Sequence, residues 1–130
     1  MFKTIGILSI LLLMILCHVI DDFVLQPICL SKLKQEKWWK QHEEYKDLYK
    51  NDYKVALLIH SMSWSIMVML PIMFFVNVPQ INIFLMFALN TFIHYLTDDE
   101  KANEGTINLV TDQGIHFTQI LMTWSLCWGI

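Results

Sequence analysis

Four stretches of this chain are apolar for nearly the width of a bilayer, and that pattern constrains the fold more than any other feature. They run about Thr4–Ile20, Val55–Val76, Pro79–Leu96 and Ile107–Ile130. Each approaches the roughly 20 residues that a helix needs to cross about 30 Å of hydrocarbon. Lipid offers no partner to backbone N–H and C=O groups, so spanning segments are expected to be helical. The expected fold is all-α: an integral membrane four-helix bundle forming one domain over residues 1–130, with the lipid bilayer as its solvent. Of 130 residues, 55% are hydrophobic and 16% charged, which excludes a disordered chain. Cys17, Cys29 and Cys127 form no CxxC pair and read as small hydrophobes. Lys3 ahead of the first apolar run also fits a signal peptide. Leu16, however, stands where cleavage wants a small residue, so the segment is read as a retained span.

The lysines set the expected orientation. The chain has no Arg, and seven of its Lys fall in the connection between the first two spans. Lys101 adds to the connection between the third and fourth, whereas the opposite side holds only Lys3 and the short turn Asn77–Gln80. Positive-inside counting therefore places both connections in the cytoplasm and both termini outside, in a multi-pass protein of the cell inner membrane. The formal charge is −3 and no Arg-bearing basic stripe exists, so nucleic acid is not an expected partner. Within residues 31–54, Trp38, Trp39, Tyr45, Leu48, Tyr49 and Tyr53 interleave with Lys and Glu. This reads as an amphipathic cytoplasmic helical segment lying in the interface. The plainer alternative is a solvated helix packed on the end of the bundle. His42 is read as solvated.

Ionisable residues inside spans are costly and mark function by default. Here they form a pattern. His18/Asp22, His94/Asp98 and Asp112/His116 are i,i+4 pairs, which puts each pair on one helix face. His60 opens the second span. With helices one and three running inward and two and four outward, all of these residues lie at one depth near the cytoplasmic leaflet. His and carboxylate converging from facing helices is how bundles build metal sites. The candidate ligands are His18, Asp22, His60, His94, Asp98, Asp112 and His116. A His/Asp set without Cys suits a divalent transition metal (Zn, Mn or Fe), and the ligand number allows one or two ions. Asp21 and Asp99 are the spare carboxylates, candidates for a catalytic general base. Gln26 and Gln113 are candidates for orienting ligands. Each residue also has a structural reading: a span His can be an interhelical hydrogen bonder, and Asp112 after Thr111 can cap a helix.

The order His18…Asp22-Phe23…Leu25-Gln26, His60, His94…Asp98…Lys101 and Asp112-Gln113…His116 resembles the small bacterial and phage membrane proteins catalogued as domain of unknown function 3307. The resemblance covers nearly the whole chain. It implies about four spans and a shared polar cluster, but no particular reaction. A looser likeness extends to inner-membrane proteins described as metal-dependent hydrolases. The long connection 31–54 departs from the family pattern, which points to a role particular to this protein. Two functions are therefore expected to compete. One is a metal-dependent hydrolase acting at the inner leaflet. The other is a non-catalytic membrane module whose polar cluster is structural: an oligomeric scaffold (a homo-oligomer), a partner-binding protein, or a membrane-disrupting phage or defence-type protein.

Overall fold

The structure, a computed structural model, describes residues 6–26, 28–41 and 47–128. Lys3, Thr4, Ile5, Pro27, His42, Tyr45, Lys46, Gly129 and Ile130, used in the readings above, lie outside the described residues. Helix α1 (Ile7–Ile20) runs directly into a π-helical turn, Asp21–Leu25. The amide of Gln26 closes that turn by donating to the Asp21 carbonyl at 3.0 Å. Short helices α2 (Ile28–Leu33) and α3 (Glu36–Lys40) follow. Then come α4 (Asp52–Phe75), α5 (Gln80–Asp99), a second π-helical turn at Glu100–Glu104, and α6 (Leu109–Trp128). The described residues contain no strand.

The four long helices coincide with the four apolar stretches to within a few residues at each end. Two segments, Ile7–Leu25 and Asp52–Phe75, are long and apolar enough to cross a membrane. Helices α5 and α6 are less uniformly apolar because they carry Asn90, His94 and Asp98, and Asp112, Gln113, His116 and Gln119. The chain between α4 and α5 is so short that the two helices must lie antiparallel as neighbours. Gly105, at φ 67°, ends the second π turn in the left-handed conformation that only glycine adopts without strain. The Asn108 side chain then accepts the amide of Thr111 at 2.9 Å and caps α6. Asp112 is thereby released from the capping role that its position suggests and turns inward, fully buried.

α4 packs against both α1 and α5, and α6 closes the ring by touching α1, α5 and α4. One end of the interior is apolar, built from Ile10, Met14, Trp64, Val68, Ile72 and Ile120. The other end is polar and holds His18, His60, His94, Asp98, Asp112 and His116, all buried. Large apolar side chains such as Leu8, Leu12, Phe74, Phe84, Phe92, Val110 and Leu121 point outward and are exposed. The bundle thus holds a polar cluster inside one end and carries many large apolar side chains on its outside.

The connection departs from expectation. Instead of one amphipathic helix over 31–54, it breaks at Lys34 and Gln35, and Tyr53 and Lys54 already belong to α4. The break has a cause: Lys34 turns into the bundle and is 7% exposed. The aromatic side chains pack on one another, with Trp38 against Trp39 at 4.9 Å and Trp39 against Tyr49 at 5.5 Å between ring centroids. They do not form the single stripe that one continuous helix would have made.

Candidate metal centre

Trp64 marks the border between the two halves of the interior. Its ring stacks on His94 at 4.4 Å between centroids, His94 stacks on His116 at 4.1 Å, and Trp64 and His116 are themselves 5.4 Å apart, so the three rings form one cluster. Its indole N–H can only donate, and it donates to His18 Nδ1 at 2.8 Å. The proton of His18 is therefore on Nε2, which donates to Gln113 Oε1 at 3.1 Å. Gln113 then uses its Nε2 toward Asp22 Oδ2 at 3.2 Å and Asp112 Oδ2 at 3.1 Å. One glutamine on α6 thus ties together a histidine of α1, a carboxylate of the first π turn and its own neighbour.

A similar chain fixes His116. Gln119 Nε2 donates to the Asn90 carbonyl at 3.1 Å, so its Oε1 is left to accept from His116 Nδ1 at 3.3 Å. The Nε2 lone pair of His116 then faces carboxylate oxygens, Asp112 Oδ1 at 3.4 Å and Asp98 Oδ1 at 3.6 Å. A lone pair facing carboxylates requires positive charge between them, either a proton on Nε2 or a cation.

The distances discriminate between these. His60 Nε2 is 3.4 Å from Asp98 Oδ2 and 3.6 Å from Asp22 Oδ1, and His94 Nε2 is 3.8 Å from Asp98 Oδ1. All of these separations exceed an N–H···O bond. They approach the edge of a zinc tetrahedron, which is about 3.3 Å for bonds of 2.0–2.1 Å. The hydrogen bond from Trp64 to His18 beside them is 2.8 Å. Asp22 Oδ1, both nitrogens of His94, Asp112 Oδ1 and His116 Nε2 are buried without any hydrogen-bond partner. Two sets of side chains bring ligand atoms within 4.8 Å of one another: Asp22, His60 and His94, and His94, Asp98 and His116. The residues present therefore fit a metal ion.

Charge points the same way. Lys34 Nζ meets Asp98 Oδ2 at 2.5 Å, and Lys101 Nζ meets Asp112 Oδ2 at 2.5 Å. Asp21 and Asp22 have no lysine partner among the described residues, so with neutral imidazoles the described cluster carries a formal charge of −2 that one divalent cation would cancel. Unpaired buried carboxylates cost several kcal/mol each, on the order of the stability of a small domain.

The family model for a protein of unknown function, DUF3307, matches residues 10–130. The chain belongs to that family. No curated protein and no solved structure matches it. The matched stretch of this DUF3307 chain includes every residue of the cluster.

Of the residues expected as ligands, five are gathered into the two metal-sized sets: Asp22, His60, His94, Asp98 and His116. His18 lies outside both sets because its two ring nitrogens are already engaged, so it positions Gln113. Asp112 also lies outside both, beside His116. The two expected general bases are placed differently. Asp21 accepts from Ser63 Oγ at 2.8 Å and sits 3.7 Å from His60 Nδ1, behind the imidazole. At that distance Asp21 makes no hydrogen bond to the ring, and its Oδ2 is buried without a partner. Asp99 faces away and accepts from Asn103 Nδ2 at 2.6 Å. Neither lines the cleft that opens over the cluster. Of the two glutamines read as orienting groups, Gln113 has that role, and Gln26 lines the cleft.

Lys34, Lys101, Trp64, Gln119 and Asn103 were not singled out from sequence as parts of the cluster. Asn103 anchors the connection: its Oδ1 accepts the Glu36 amide at 2.7 Å, and its Nδ2 donates to the Lys34 carbonyl at 3.1 Å. This holds Lys34 over Asp98. A signal existed for one of the five, since Trp64 follows His60 by four residues, the spacing that brought out the His/Asp pairs.

Proposed function

We propose that the chain is a multi-pass inner-membrane protein whose four long helices span the bilayer, and that it holds one divalent transition metal used for hydrolysis at the inner leaflet. The outward apolar side chains and the polar interior support immersion in lipid. Helices α5 and α6 are each 20 residues long, about 30 Å at 1.5 Å per residue. The observation that carries the metal is the set of His–carboxylate separations of 3.4–3.8 Å, in which Asp22 Oδ1, His94 Nε2, Asp112 Oδ1 and His116 Nε2 are buried without a hydrogen bond.

A catalytic ion keeps an open coordination position, whereas a structural one is enclosed. Asp22 and Asp98 line a cleft of about 260 Å³ that opens at the connection, so an ion on them would be reachable. Bound there, the metal would supply hydroxide near neutral pH by lowering the pKa of its water to about 7. Gln119 would hold His116 in the ligating tautomer.

Elemental analysis of the detergent-purified chain, beside a His60→Ala/His94→Ala variant, tests this. About one equivalent of Zn, Mn or Fe is expected in the wild type and none in the folded variant. The lysine pairs on Asp98 and Asp112 favour a second reading, a polar core that joins the helices of a non-catalytic module. Wild type that folds but holds no metal after incubation with Zn²⁺ or Mn²⁺ would select that reading and end the first.

A further inference from the structure

The cleft over the cluster has a charge pattern of its own. Its acidic side chains are Asp22 and Asp98, both in the metal-sized sets; its other charged side chains are Lys34, Lys37 and Lys101. Lys34 and Lys101 are held by Asp98 and Asp112. Lys37 makes no ion pair with a described residue. With an ion on the two carboxylates, the cleft offers a metal and three ammonium groups to whatever enters it. Such a surface selects an anion, and phosphate oxygens suit both partners because they accept charge-assisted hydrogen bonds and coordinate hard cations.

The other wall is apolar. Phe23 and Leu109 line the cleft and remain 59% and 54% exposed. They continue into Val24, Leu25, Ile28 and Val110, which are all exposed as well. A ligand with its anionic group among the lysines would therefore leave along a surface made for hydrocarbon. We infer that the cleft binds a phosphate ester carried on an apolar tail, with Lys37, which has no ion pair among the described residues, as the cation that meets the phosphate. This rests on the metal reading of the site and names its substrate class.

The test titrates full-length, Zn²⁺-loaded chain in maltoside micelles with three probes. Dioctanoyl phosphatidic acid has phosphate and tails, dioctanoylglycerol has tails only, and glycerol 3-phosphate has phosphate only. Phosphatidic acid is expected to bind at least tenfold tighter than either of the others. Lys37→Gln is expected to weaken phosphatidic acid binding about tenfold, as loss of one charge-assisted contact would, with metal content unchanged. Equal binding of dioctanoylglycerol and phosphatidic acid, or an unaffected Lys37→Gln variant, overturns the inference. Equal binding of glycerol 3-phosphate and phosphatidic acid overturns its tail and assigns the site to soluble phosphate esters. Metal measured in the same samples separates the two readings. Metal present without Lys37 dependence ends this inference alone. Lys37-dependent binding without metal ends the metal reading alone.

Discussion

Gln119 lies one turn beyond His116 and does two things with one amide. It donates to the Asn90 carbonyl and accepts from the far nitrogen of the imidazole. Leucine at 119 fills similar space but leaves His116 Nδ1 without an acceptor, so the ring loses its fixed tautomer. Gln119→Leu is expected to lower metal affinity by about 10–100-fold, measured by competition with a chromophoric chelator. Gln119→Glu keeps an acceptor and is expected to retain most of the affinity. If the two variants behave alike, the amide does not orient His116. At this scale the His/Asp pattern was legible because i,i+4 spacing is a property of one helix. The roles of His18, Trp64 and Gln119 were less so. A tryptophan or an amide within an apolar span reads first as filling or as a scattered polar group, and only its neighbours on other helices give it a task. Asp99 misled for the opposite reason: adjacency to Asp98 says nothing about which face a side chain takes at the end of a helix.

Among the elements, the connection differs most from its sequence reading. Counting lysines treats each as a solvated charge, yet Lys34 is buried on Asp98, a partner 64 positions away in the chain. No local pattern reports a contact of that range. The break between α2 and α3 follows from it, and Asn103 secures the break from the second π turn. Asn103→Ala removes the acceptor of the Glu36 amide and the donor to the Lys34 carbonyl, each worth about 1 kcal/mol. Exchange of the Glu36 amide is expected to quicken about tenfold, while amides in the middle of α1 and α4 keep their protection; hydrogen exchange read by mass spectrometry or NMR checks this. Slowed or unchanged exchange at Glu36 would mean that the connection is held by something other than Asn103. The four long helices, by contrast, were legible almost to their ends, because an apolar run bounded by charged or turn-forming residues is written in consecutive positions.

At the scale of the molecule, the proposed orientation puts the connection and the cleft in the cytoplasm. Cys29 on α2 is exposed, whereas Cys17 and Cys127 are half-buried within long helices. A membrane-impermeant maleimide is expected to label Cys29 in inside-out vesicles and not in right-side-out ones; the reverse result would invert the topology. The polar interior of the bundle could be anticipated from four helices carrying polar groups at one depth; its closure by the connection was read only as the alternative to an interfacial helix, and the burial of Lys34 that secures it was not read at all. That closure has a consequence for how the protein is made. Lys34 leaves the ribosome long before Asp98 and Asn103 exist, and His18 long before Trp64 and Gln113. Lys34 must wait for partners in the last third of the chain, and His18 for one near the middle and one in that last third. The cleft, with walls from the connection, the second π turn and the start of α6, thus cannot form until the chain has passed Gln113, and a truncated chain released before that would carry scattered ligands but no assembled trap for a metal.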